Sequence, residues 1–117
     1  MGVKQPGQIA LVKFPQTDLV SSKLRPVLLL AQIPNQYDDW LICMISSKTQ
    51  QAIKELDEIM DEKASDFADS GLKVTSVFRI TRLAVVSGDI LVGTIGQISH
   101  QRIKQIKDKL AEWIRSS

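Results

Sequence analysis

Apolar positions along the chain come in short extended runs, with one helical stripe at the end. Ile9 to Phe14 is apolar except for Lys13, and Pro26 to Gln32 carries Val27-Leu28-Leu29-Leu30-Ala31 without a break. Trp40 to Ser46 is a third run, and Pro34-Asn35-Gln36-Tyr37-Asp38-Asp39 is a turn cluster before it. Runs of this length bounded by turn residues predict strands, the second and third paired as an antiparallel hairpin. Pro15 to Leu24 reads as a polar loop. Val74 to Leu83 alternates: Phe78 and Ile80 face the core, while Arg79 and Thr81 stand outward side by side, with Arg82 at the strand's end. Ser87-Gly88-Asp89 separates Ala84–Val86 from Ile90–Ile95 and predicts a second hairpin. Gly93 and Gly96 within that run predict a bulge or a close backbone approach.

Two segments carry a helical period. Ile103, Ile106, Leu110, Trp113 and Ile114 make one stripe behind Ser99, a good N-cap, and predict a helix over 100–115 docked on a sheet. Ile53, Leu56, Ile59 and Met60 also recur at helical spacing, which favours a helix near 50–61. Asp66 to Gly71 reads as a turn.

Composition narrows the class. With 117 residues, 44% hydrophobic and 24% charged, the chain fits one globular domain, 1–117, able to bury its own core. Cys43 is the only cysteine, so no disulfide framework exists within the chain, and its apolar run marks it as a small core residue. No stretch reaches membrane-spanning length and the N-terminus lacks a signal-peptide apolar region, so a cytoplasmic protein without membrane contact is expected.

Charge is uneven. Residues 54–69 hold seven carboxylates and two lysines, a local −5, so the overall +2 leaves +7 on the rest. A basic body suits a polyanion partner as well as a solvated surface.

The single histidine, His100, sits beside a helix N-cap, and nothing has the ligand spacing of a zinc or calcium site. No cofactor motif is visible. What remains is a metal-free cationic set, Arg25, Arg79 and Arg82, with hydroxyls from Ser46, Ser47 and Thr81. Pro26 restricts Arg25 to an extended conformation, a sound way to aim a guanidinium at a phosphate. RNA brings its own nucleophile, the 2′-hydroxyl, so such a set suits RNA cleavage.

The residues also carry a resemblance. Pro6-Gly7-Gln8-Ile9, Phe14-Pro15-Gln16-Thr17-Asp18-Leu19 and Ser22-Lys23-Leu24-Arg25-Pro26-Val27-Leu28 resemble the opening of the MazF/PemK toxin family. The similarity continues at Ile45-Ser46-Ser47-Lys48, Asp66-Phe67, Gly71-Leu72-Lys73-Val74, Ser76-Val77-Phe78-Arg79 and Gly96-Gln97-Ile98-Ser99. It implies a mostly β fold with helices (α+β), a small curved antiparallel sheet like an SH3 barrel with a C-terminal helix. It implies a homodimer, a cognate antitoxin, operator DNA contacted only through the antitoxin complex, and a metal-independent endoribonuclease acting on single-stranded RNA. Under that resemblance Arg25, Ser46 and Arg79 are catalytic, and Lys23, Ser47, Thr81 and Arg82 bind substrate. Ser46 stands where relatives carry threonine, and Thr81 where some carry aspartate. Relatives often run a strand where the local period reads a helix, so helix and strand both stand at 50–62. Two further readings are a non-catalytic toxin that binds gyrase, as the related CcdB proteins do, and a decayed toxin kept as a binding module.

Overall fold

The structure, a computed structural model, describes residues 4–15 and 22–117. The expected polar loop falls largely on residues 16–21, outside the described residues. Six strands form one antiparallel sheet: β1 (Gln8–Pro15), β2 (Ser22–Gln32), β3 (Asp39–Ser46), β4 (Glu58–Met60), β5 (Ser76–Ser87) and β6 (Leu91–Gln97). Their order is β4-β5-β3-β2-β1-β6. A one-turn helix α1 (Phe67–Ser70) precedes β5, and the long helix α2 (His100–Ser116) ends the chain.

Alternation along the strands makes two apolar faces. On one, Ile9, Leu28, Leu30, Cys43, Ile45, Phe78 and Ile80 pack with Ile98 and Ile106, and with Ile103 and Leu110 of α2. On the other, Ala10, Val12, Val27, Leu29, Trp40 and Ile42 form a second cluster. Val86 of β5 and Leu91 of β6 both pack on that second cluster, although their strands are not neighbours in the sheet. The sheet therefore curls around it without closing.

That curl corrects the second hairpin. The turn Gly88–Ile90 is a 3₁₀ turn, but β6 pairs with β1 at the far side of the sheet and not with β5. Gly88 is pinned to Asp38, whose carbonyl accepts the Gly88 N–H at 2.6 Å, so the turn bridges the open side of the curl. The expectation for the glycines of β6 holds. The β1–β6 ladder shifts register twice, between Ile9 and Ala10 and between Leu11 and Val12, and the backbone of α1 runs directly against Gly96.

The helix near 50–61 does not form. Only a 3₁₀ turn, Thr49–Gln51, and the short strand β4 occupy the segment. Glu55 adopts φ 68°, a left-handed conformation that no α-helix accommodates. Met60 is buried, whereas Ile53 and Ile59 each remain 46% exposed. The helical spacing thus marks no common face.

The acidic segment turns inward at three of its members. Asp66 accepts from Arg102 Nε at 2.9 Å and Nη2 at 3.1 Å, and from the Ser99 N–H. Glu58 pairs with Lys109 at 2.6 Å and Arg102 at 3.4 Å. These pairs fasten α2 to β4 and to the start of α1. Asp57 is the third, and it serves the site described next.

Candidate functional site

β2 starts at Ser22, so Arg25 lies within a strand rather than at its mouth. It sits opposite Val12 of β1. Pro26 is tolerated because pairing with β3 reaches only as far as Val27. Beyond that point β2 pairs with β1 alone, and once β6 leaves β1 at Val12, opposite Arg25, the two strands continue as a ribbon carrying Lys23 and Leu24.

Register decides which side chains share a face. Val27 pairs with Met44, and Met44 with Arg79. Ser46 is two residues on from Met44, and Arg25 two residues back from Val27. Paired residues share a face and alternation returns every second residue to it. Arg25, Ser46 and Arg79 therefore lie on one face of three adjacent strands, at the same end. Ser46 pairs with Val77, so Arg79 stands diagonal to it across the ladder.

At this end the surface opens into a cavity of about 650 Å³. Lys23, Arg25, Ser46, Ser47, Lys73 and Ser76 contribute its polar lining, and Leu24, Pro26, Ile45, Leu72, Val74 and Ile95 much of its apolar wall. Among the described residues no carboxylate and no imidazole lines it. His100 borders a separate groove with Asp66 and Ser99. Gly71 caps α1 at φ 75° and sets the course of the Leu72–Val74 wall.

Ser46 closes β3. Its Oγ accepts the Lys48 N–H at 3.0 Å, and the Ser47 carbonyl accepts the Thr49 N–H at 3.1 Å. The hydroxyl proton of Ser46 is left to donate elsewhere.

Arg79 does not line the cavity. Its Nη1 donates to Gln51 Oε1 at 3.1 Å, and its Nε is buried without a partner among the described residues. Immediately after it the ladder breaks: Met44 pairs with Arg79 but Cys43 pairs with Leu83, so Ile80, Thr81 and Arg82 form a three-residue bulge. The expected regular strand with Arg79 and Thr81 side by side is thereby corrected, because alternation fails inside a bulge. Thr81 and Arg82 are absent from the cavity lining. The bulge is held by three contacts. The Cys43 thiol donates to the Arg79 carbonyl at 3.2 Å. Asp57 accepts the Ile80 N–H at 2.8 Å and the Ile53 N–H at 2.9 Å. Burial first, and then the Asp57 charge, push the Cys43 thiol up to about 12, so it stays protonated and serves as a donor.

Gln51, Asp57 and Lys73 were not legible in sequence. Each lies in an irregular segment, where only tertiary contact reveals a role. Among the described residues no three His, Cys, Asp or Glu side chains gather in a group able to hold a metal ion. No helix there is long and apolar enough to cross a membrane. The site is a cationic, hydroxyl-bearing cavity with an apolar wall, a setting for a phosphate flanked by aromatic or aliphatic groups.

Residues 5–114 match the family model described as PemK-like, MazF-like toxin of type II toxin-antitoxin system. No curated protein matches the chain. The chain belongs to this toxin family, and membership implies a cognate antitoxin as partner.

Proposed function

We propose that this member of the PemK-like toxin family is an endoribonuclease that cuts single-stranded RNA, works as a homodimer, and is neutralised by its antitoxin. The observation that supports it is the cation set of Lys23, Arg25 and Lys73 around one cavity with the Ser46 and Ser47 hydroxyls and no carboxylate among the described lining residues. Such a lining attracts a phosphodiester and offers it donors on several sides.

In the proposed reaction the ribose 2′-oxygen attacks the adjacent phosphorus and the bond to the 5′-oxygen breaks. The 2′-hydroxyl proton leaves to water, and the departing 5′-oxygen takes up a proton. Products are a 2′,3′-cyclic phosphate and a 5′-hydroxyl. Arg25 faces the charge that builds on the phosphorane oxygens. A guanidinium offers a fork of N–H donors and no acceptor, so its role is electrostatic. Ser46, already accepting the Lys48 N–H, donates its own proton to a phosphate oxygen. Arg79 supplies a second positive charge from the same sheet face.

The test is cleavage of a single-stranded RNA in EDTA. Wild-type protein should cut it, and Arg25→Ala should lose nearly all cleavage while its unfolding transition is unchanged. Full cleavage by Arg25→Ala would overturn the mechanism. A second reading, a toxin that binds gyrase, draws on Trp113 and Ile114, which stay 39% and 59% exposed at the end of α2. It predicts gyrase binding with no RNA cleavage by the wild-type protein.

A further inference from the structure

Two guanidinium groups on the candidate face, Arg25 and Arg79, have no carboxylate partner among the described residues, whereas Arg102 and Arg115 do. Arg79 is nevertheless the most firmly held of the site residues. Its carbonyl is fixed by Cys43, the next N–H by Asp57, and its side chain by Gln51. The partner on the side chain is the informative one. An amide oxygen orients a guanidinium without cancelling its charge, whereas a carboxylate at that position would engage the fork and neutralise it.

The segment carrying Gln51 is itself built on the site. It leaves β3 at Ser46, turns through the Ser46–Lys48 and Ser47–Thr49 bonds, and tightens where the Lys48 carbonyl accepts the Gln51 N–H at 3.0 Å. It then returns to β5 through Asp57, which joins Ile53 to Ile80. One short strap thus sets the Ser46 hydroxyl at one end and the Arg79 guanidinium at the other.

We infer that Gln51 is a positioning residue that holds Arg79 as an unneutralised cation for a second phosphate of the bound strand, next to the phosphate at Arg25 and Ser46. This rests on the nucleic-acid reading above. The outer N–H groups of Arg79 that Gln51 does not engage remain as donors for that phosphate, whereas its Nε is buried in the protein. The residue specifies charge as well as position, so the isosteric acid should be worse than truncation.

The experiment measures binding of a fluorescein-labelled single-stranded deoxyoligonucleotide, which lacks the 2′-hydroxyl, as a function of salt. The proteins are wild type, Gln51→Glu, Gln51→Ala, Arg79→Ala and Arg25→Ala. Gln51 is exposed, so its variants should fold. Gln51→Glu should bind about tenfold more weakly, and its slope of log affinity against log salt should shrink by about 0.7, the loss of one phosphate contact on a single strand. Arg79→Ala should match it. Gln51→Ala should lose only about two- to threefold and keep the slope, because the cation survives. Gln51→Glu binding as well as Gln51→Ala, or better, overturns the inference. So does undiminished binding by Arg79→Ala when Arg25→Ala is weakened, in which case the nucleic-acid reading stands. Undiminished binding by both arginine variants overturns that reading as well.

Discussion

The Asp57 carboxylate accepts the Ile80 N–H at 2.8 Å, at the point where the β5 ladder opens behind Arg79. Its other oxygen accepts the Ile53 N–H at 2.9 Å, so one side chain satisfies two backbone donors that no strand pairs. Asp57 is only 7% exposed, and removing it leaves both donors short of water. Asp57→Ala should cost about 2–4 kcal/mol, and Asp57→Asn, which keeps one acceptor, roughly half of that. Guanidinium unfolding of the three proteins measures it. A loss under about 1 kcal/mol for the alanine variant would contradict the bridge.

Ser46 separates a turn role from a chemical one. Ser46→Ala leaves the Lys48 N–H to solvent at an exposed position, a change of roughly 0.5–1 kcal/mol in stability. Cleavage should fall much further, by about 10²-fold, because the donor is gone. Ser46→Thr keeps the hydroxyl and restricts its rotamer, so its rate should equal or exceed wild type. Single-turnover rates on one RNA decide this. Equal rates for serine and alanine would remove Ser46 from the chemistry.

The glycines of β6 should behave in opposite ways. A methyl group at Gly96 would overlap the Asp69 and Ser70 backbone, which cannot yield as a flexible side chain does. Gly96→Ala should therefore destabilise by about 2 kcal/mol or more. Nothing lies within 4 Å of the corresponding position at Gly93. Gly93→Ala should be neutral or slightly stabilising, through the smaller entropy of its unfolded chain. Thermal melts of both variants suffice, and equal losses would contradict the packing of α1 on β6.

Asp66 sets an acid limit on stability. Burial pushes its carboxyl up, but the Arg102 hydrogen bonds and the Ser99 N–H outweigh this and hold it below the ordinary value. A lowered carboxyl stabilises fully above its unfolded value of 3.8 and loses that contribution as pH falls through the folded one. Asp66→Asn should cost about 2 kcal/mol at neutral pH, and the difference from wild type should shrink below about pH 4. Denaturant midpoints across pH 2 to 7 test it, and a constant difference would refute the coupling to Arg102.

Cys43 gives a check on the same bulge from the other side. Its thiol, raised by burial to about 12 from 9.0, should resist a thiol reagent at pH 8 until the protein unfolds. Between those values the native state holds a proton that the unfolded chain has lost, so stability should fall as pH rises past about 9. Fast labelling of native protein would place the thiol outside the core.

Much of the fold is written locally. Ser99 and the stripe from Ile103 to Leu110 specify α2, and the apolar runs at Ile9, Val27 and Trp40 specify β1 to β3, because burial of one face or one run is enough to select each element. The same locality made Arg25 legible, since Pro26 marks its conformation one residue away. The segment 50–61 shows the limit. Its helical spacing is present, but Glu55 turns left-handed, and while Met60 and Leu56 pack on the core, Ile53 and Ile59 stay exposed.

By itself the sequence determined a mostly β chain with a C-terminal helix and the buried character of Cys43, and it offered Arg25, Ser46 and Arg79 as candidates, of which Arg25 and Ser46 line one cavity. Tertiary structure alone decided that β6 joins β1, that Arg79 shares a face with Ser46 while Thr81 and Arg82 bulge away, and that Gln51 and Asp57 serve Arg79. The reason is physical: element type follows from short-range periodicity, whereas register, bulges and polar pairings depend on which strands the curled sheet brings together, across separations of 20 residues and more that no local pattern records.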